Sequence, residues 1–201
     1  MRPPLPGLLG RAFPGRPDPP RPAAEGLHRL VSALPALTAG TGFVPTGAGA
    51  VCYRLVEGGA FGAFAGTRRE LDRLLGGGPD TEVTESPYGH AWTRLRRPPE
   101  DFARLVADLY LVRSTLEQAG FGAYLLYAAV GFRRRDRQCL SLVHLPSRGT
   151  FYPFAPRPGG RRERRRNNAV EAAAREAVAG ELPVETDTGR WFPLWDAPAL
   201  D

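Results

Sequence analysis

The sequence predicts a single α+β domain in which an antiparallel or mixed sheet is backed by helices. Three observations carry that expectation. Residues 99–119 repeat apolar positions at helical spacing, residues 124–145 hold two strand-like runs joined by a short basic turn, and residues 81–96 have the pattern of a β-hairpin. At 201 residues, 42% of them hydrophobic, the chain has material for one sizeable core. Eight of its 21 prolines fall in residues 1–25, beside four arginines and few apolar anchors, so those residues read as a flexible tail and 26–201 as the domain.

Taken in order, Leu27, Leu30, Val31 and Leu34 follow helical spacing, and Pro35 is expected to stop that turn. The Gly40–Gly49 segment reads as a turn-rich lead-in to a strand at Val51–Val56. A helix over 65–75 should turn Leu71, Leu74 and Leu75 inward before Gly76-Gly77-Gly78-Pro79 ends it. Thr81–Glu85 and His90–Arg96 pair about Ser86-Pro87-Tyr88-Gly89, with proline and glycine placed as a type I turn wants them. In the next helix, Glu100 and Asp101 complement the dipole of the first turn. Phe102, Leu105, Val106, Leu109, Val112 and Leu116 form one stripe, and Gly120 closes it.

Tyr124–Phe132 is apolar on both faces and therefore central in the sheet, Gln138–Leu145 lies beside it, and Thr150–Phe154 continues the sheet. Asn168 with Glu171 resembles a capping box opening a last helix, on which Val170, Ala173, Ala174, Ala177 and Val178 follow helical spacing and Gly180 closes it.

The chemistry is narrowed first by what is missing. All 27 basic residues are arginine, which excludes a P-loop lysine, a Schiff-base lysine and a Ser–Lys dyad; the bias fits a GC-rich genome. Gly42 and Gly47 have Walker A spacing, but Ala48 and Gly49 stand where Lys and Ser/Thr are required. Cys52 and Cys139 are far apart inside apolar segments and read as buried thiols. His28, His90 and His144 sit on three different elements, and Glu82 and Glu85 point to opposite faces of one strand. The expectation is therefore a protein that is not an enzyme and carries no cofactor or metal. The apolar run 123–132 is half the length of a membrane span, and Met1-Arg2-Pro3-Pro4 begins no export signal, so a cytoplasmic protein is expected.

The formal charge of +6 is unevenly placed. Residues 133–137 carry four arginines against Asp136, and residues 161–166 carry five against Glu163, while the globular remainder is slightly acidic. Such runs suit an acidic partner helix or phosphate, whether of a lipid headgroup at the inner face of the membrane or of nucleic acid. Nucleic acid is the less favoured, because no aromatics are interleaved for stacking. Solvated surface arginine explains the runs equally well. Two aromatic clusters complete the inventory, Phe151-Tyr152-Pro153-Phe154 and Trp191-Phe192-Pro193-Leu194-Trp195. They read either as core or as anchors for a partner.

These same segments carry a resemblance. The run Thr41-Gly42-Phe43-Val44-Pro45-Thr46-Gly47, with Ala50-Val51-Cys52-Tyr53-Arg54 and Val56-Glu57-Gly58-Gly59-Ala60-Phe61, is similar to the N-terminal signature of the actinobacterial PspA-associated proteins of the PspAB type. So are Tyr88-Gly89 with Trp92, the segment from Leu116-Glu117 to Gly120-Phe121-Gly122, Arg148 to Pro156, and Arg190 to Trp195. The likeness spans about residues 26–198, and residues 1–25 depart from it by replacing a shorter apolar start with a proline-rich one. The resemblance implies an accessory to the phage-shock, envelope-stress system, whose central component is a membrane-remodelling coiled-coil protein. It brings no catalytic residues. The element order is also similar to the secretion-chaperone-like fold, a likeness that carries little functional weight.

Two readings follow. In the first, Phe151, Tyr152, Phe154, Trp191 and Trp195 anchor a PspA-like coiled-coil protein, and Arg161, Arg162, Arg164, Arg165 and Arg166 offer charge to it. In the second, the arginine-rich loops bind phosphate directly.

Overall fold

In the computed structural model, residues 26–56, 61–76, 80–158, 163–195, 197, 198 and 200 are described. Four α-helices and six strands lie among them: α1 (Arg29–Thr41), β1 (Val44–Arg54), α2 (Phe61–Leu74), β2 (Thr81–Glu85), β3 (His90–Arg96), α3 (Phe102–Leu116), β4 (Leu125–Arg133), β5 (Cys139–Leu145), β6 (Thr150–Phe154) and α4 (Asn168–Val178). The strands form one antiparallel sheet in the order β2-β3-β1-β4-β5-β6. The chain is thus an α+β domain, with β1 and β4 at its centre. The proline-rich residues 1–25 lie outside the described residues.

Alternation along the strands divides the apolar residues between two layers. On one face, Val51, Tyr53, Ala128, Val130, Phe132, Leu140, Leu142 and Phe151 meet the helices. The α3 stripe of Leu105, Val106, Leu109, Val112 and Leu116 is buried against them, as its spacing predicts. On the other face stand Ala48, Ala50, Cys52, Trp92, Ala129, Val143, Tyr152 and Phe154, packed with Trp191, Leu194 and Leu200. The second layer is a strap of C-terminal chain rather than another row of helices.

Several local expectations are corrected. Pro35 lies inside α1, which continues to Thr41 and ends where Gly42 adopts φ 72 and donates its N–H to the Thr38 carbonyl. Leu30, Ala33 and Leu37 hold that helix down, so packing outweighs the one N–H that proline removes. β1 begins at Val44, inside the supposed lead-in. Its glycines allow close approach, for at Gly47, with φ 78, a side chain would overlap the Arg97 carbonyl. Leu74 is exposed rather than inward. The cap of α4 is Asn167, one residue earlier than expected; its side chain accepts from the Val170 N–H. Glu171 is then free to accept from the Ala155 N–H and the Arg166 guanidinium instead of closing a capping box. The hairpin β2–β3 and its turn fall where the sequence puts them.

Candidate functional site

The strap crosses the sheet from β6 to β1 and is fastened at both ends. At one end the Trp191 ring stacks on Tyr152 at 6.0 Å and its indole N–H donates to the Glu185 carbonyl at 3.1 Å. The Tyr152 hydroxyl donates to the Phe192 carbonyl at 2.9 Å, and Trp195 meets Phe154 edge-on at 4.9 Å. At the other end the Thr46 hydroxyl reaches the carbonyls of Leu200 at 2.6 Å and Gly131 at 3.1 Å. Small side chains make room there: a Cβ on Gly131 would overlap the Leu200 carbonyl oxygen.

Where the strap passes the β2–β3 hairpin it leaves a cleft of about 400 Å³ open. Trp92, Tyr127, Cys52 and Leu126 line it from the sheet, Phe192, Pro193 and Leu194 from the strap, and Arg54, His90 and Tyr88 from the strand ends and turn. The lining is largely apolar, and its polar atoms are mostly bonded inward. The Trp92 indole N–H donates to the Tyr127 hydroxyl at 2.8 Å. Burial pushes the Cys52 thiol up to about 12, against a smaller opposing effect of its bond to Tyr127, so the thiol stays protonated. Burial likewise raises the Tyr127 hydroxyl. Two large aromatic side chains at the cleft stand in solvent, Tyr88 with 77% of its surface exposed and Phe192 with 59%.

The expected anchors are covered as the chain stands. Phe151 faces the helices, Tyr152 and Phe154 lie under the strap, Trp191 is buried, and Trp195 alone keeps partial exposure. Arg166 is turned inward: it donates to Glu171, to the Trp191 carbonyl at 2.6 Å and to the Pro153 carbonyl, over the Phe154 ring. Arg164 and Arg165 are exposed, and Arg161 and Arg162 lie outside the described residues. The cleft residues Tyr88, Trp92, Tyr127 and Phe192 were missed as a group. The available signal was an aromatic at the tip of a tight turn, which has nowhere to bury itself.

The other chemical candidates stay apart. His28 rests against Tyr110, His90 lies at the cleft, and His144 is fully buried beside Phe151. Glu82 pairs with Arg94 and Glu85 with Arg68 of α2, on opposite faces. Among the described residues no group of histidine, cysteine and carboxylate is placed to hold a metal ion, and no helix is long and apolar enough to cross a membrane. Among the described residues, Glu185 is a strongly perturbed carboxylate. Its hydrogen bond from Arg148, with those from the Asp187 N–H and Thr150, outweighs burial and holds it down at about 2.

By fold and site, then, this is a small α+β domain whose sheet is strapped by its own C-terminal segment and opens into one aromatic-rimmed cleft among those described. The chain belongs to the PspAB family, PspA associated protein B, whose model matches residues 6–199. That match takes in most of the proline-rich segment set apart in the sequence. No curated protein and no solved structure matches.

Proposed function

We propose that the protein is a non-catalytic accessory of a PspA-type phage-shock, envelope-stress system, acting by protein–protein contact with a PspA-like coiled-coil protein. It works in the cytoplasm, at the inner face of the membrane when its partner is there. The family's association with PspA supports the class of partner. The observation that carries the surface is the cleft, with Tyr88 and Phe192 projecting from it. A coiled-coil helix offers an apolar stripe, and exposed aromatics beside an apolar recess are the side chains that anchor such contacts. The cluster of Tyr152, Phe154 and Trp191, with half-buried Trp195, acts beneath this surface by holding the strap in place.

The test is a titration of the full chain against the PspA-like protein of the same genome. Tyr88→Ala and Phe192→Ala should each weaken binding by about tenfold, the usual loss on truncating an anchor. Thermal stability should stay unchanged, because both side chains are exposed. Full-strength binding by the double variant would remove the cleft from the interface, and no binding at low or high salt would sink the reading itself. The second reading, phosphate binding by arginine-rich loops, has a separate observation in its favour.

A further inference from the structure

The turn 133–137 and the described part of the second arginine run, twenty-odd residues apart in sequence, are brought together in space. The turn 133–137 joins β4 to β5, and beyond β6 the described stretches 155–158 and 163–167 lie side by side, with the Arg157 N–H donating to the Arg165 carbonyl and the Asn167 N–H to the Ala155 carbonyl. Buried Gln138 ties one to the other. Its amide donates to the Pro156 carbonyl at 2.7 Å and accepts from the Asn167 side chain at 2.8 Å. One end of the sheet therefore presents Arg133, Arg134, Arg135, Arg137, Arg157, Arg164 and Arg165, against Asp136 and Glu163 alone of the acids in those loops. Arg134 is bonded to Asp136 and lies over the Phe43 ring, whereas Arg133, Arg135 and Arg137 are exposed and make no ion pair among the described residues.

Two further details bear on the occupant. Arg137 (φ 64) and Arg164 (φ 50) are the described non-glycine residues with left-handed backbones, and both fall in these loops. Glycine or asparagine takes that conformation more readily than arginine. Val44, 51% exposed, stands opposite Arg133 in the β1–β4 pairing and puts an apolar tip beside the charge. The clefts lined by Phe64 and Arg68 and by Trp92 and Tyr127 share no residue with these loops, and the one lined by Trp191 takes only Arg166 from them. An exposed cationic cluster with an apolar tip beside it matches the charged headgroups and apolar interior of an anionic membrane.

We propose that the turn 133–137 and the described residues Arg157, Arg164 and Arg165, joined through Gln138, form one composite surface that binds the phosphate headgroups of an anionic membrane. This gives the phosphate reading a site and an occupant, and it does not depend on the cleft engaging a PspA-like partner. Each arginine held near an anionic surface contributes about a fivefold gain in partitioning, so neutralising three should cost about a hundredfold. The attraction must also weaken as salt shortens the screening length.

The experiment is co-sedimentation of the full chain with vesicles of phosphatidylcholine alone or mixed with phosphatidylglycerol, at low and high salt. Two variants are compared, Arg133→Gln/Arg135→Gln/Arg137→Asn and Arg157→Gln/Arg164→Asn/Arg165→Gln, after circular dichroism shows each folded. The expected result is binding only to the mixed vesicles, weaker in salt, and lost about a hundredfold in either variant. Binding that either variant leaves intact overturns the composite site, and absence of phosphatidylglycerol-dependent binding overturns the membrane assignment. Tighter binding to a single-stranded or duplex oligonucleotide at equal phosphate also overturns it, in favour of nucleic acid. Cleft variants should behave as the parent chain in this assay, which keeps failure here distinct from failure of partner binding.

Discussion

His144→Leu turns the packing of the helix-side core into a measurable pH dependence. The imidazole is fully buried on β5, its ring 4.7 Å from that of Phe151, and neither nitrogen has a hydrogen-bond partner among the described residues. Burial, reinforced by the nearby Arg113 guanidinium, holds its pKa down at about 3 against an ordinary 6.5. A group whose folded pKa is lowered in this way binds a proton more readily when unfolded. Its contribution to stability is therefore intact above about 6.5 and is lost as pH falls from there toward about 3. Within that window the loss is about 1.4 kcal/mol per pH unit, so at about pH 4.5 it reaches roughly 2–3 kcal/mol. A typical domain has only about 5–15 kcal/mol in all.

Leucine has nearly the volume of histidine and removes both unpaired nitrogens. Near neutral pH the variant should match the parent or exceed it by about 1–2 kcal/mol. The assay is urea unfolding of both proteins across a pH series. Below about pH 6.5 the difference should widen in favour of the variant by about 1.4 kcal/mol per unit. Carboxylates such as Glu185 titrate in both proteins and cancel in the comparison. Parallel stability curves down to about pH 4.5 would refute the argument, because they would mean that the imidazole is solvated or paired in the folded chain.

Three further outcomes follow from the same structure. Gly131→Ala sets a methyl group against the Leu200 carbonyl, and the strap should yield at about 1–3 kcal/mol, read as a lower unfolding midpoint with altered tryptophan emission from Trp191 and Trp195. Glu185→Gln removes a carboxylate whose pKa is held at about 2; its contribution is present above about 4.5 and lost as pH falls through about 2, so the variant should be less stable at neutral pH and converge with the parent in strong acid. Tyr152→Phe removes only the hydroxyl that donates to the Phe192 carbonyl, and denaturant unfolding should register about 1 kcal/mol; a larger loss would show that the strap depends on this bond more than on ring packing.

The fold was legible wherever a local rule sufficed. The β2–β3 hairpin needed only its turn residues, and α3 needed only its stripe. The sequence misled where a distant contact decides. Pro35 is a helix breaker in isolation, yet α1 runs through it because Leu30, Ala33 and Leu37 meet the core. The glycines of β1 look like a loop until the carbonyl of Arg97 and the side chain of Leu109 are known to press on Gly47 and Gly49.

The aromatic clusters show the same limit at the candidate site. Strand parity predicts that Phe151 points one way and Tyr152 and Phe154 do not share its environment in full, but parity cannot say what covers either face. The cover on the second face arrives forty residues later, as Trp191 on Tyr152 and Trp195 on Phe154. Each cluster is therefore covered by the other within the chain, as the core alternative for these aromatic runs had it. Tyr88 and Phe192 differ because the turn and the strap each hold them outward, with no later segment among the described residues to bury them. The arginine runs invert the lesson. Their charge was plain in the sequence, but their union depends on the buried Gln138, a residue that no charge pattern would single out. Gln138→Leu keeps every arginine and breaks the tie, so loss of vesicle binding by a folded Gln138→Leu chain would separate the arrangement of the charge from its amount.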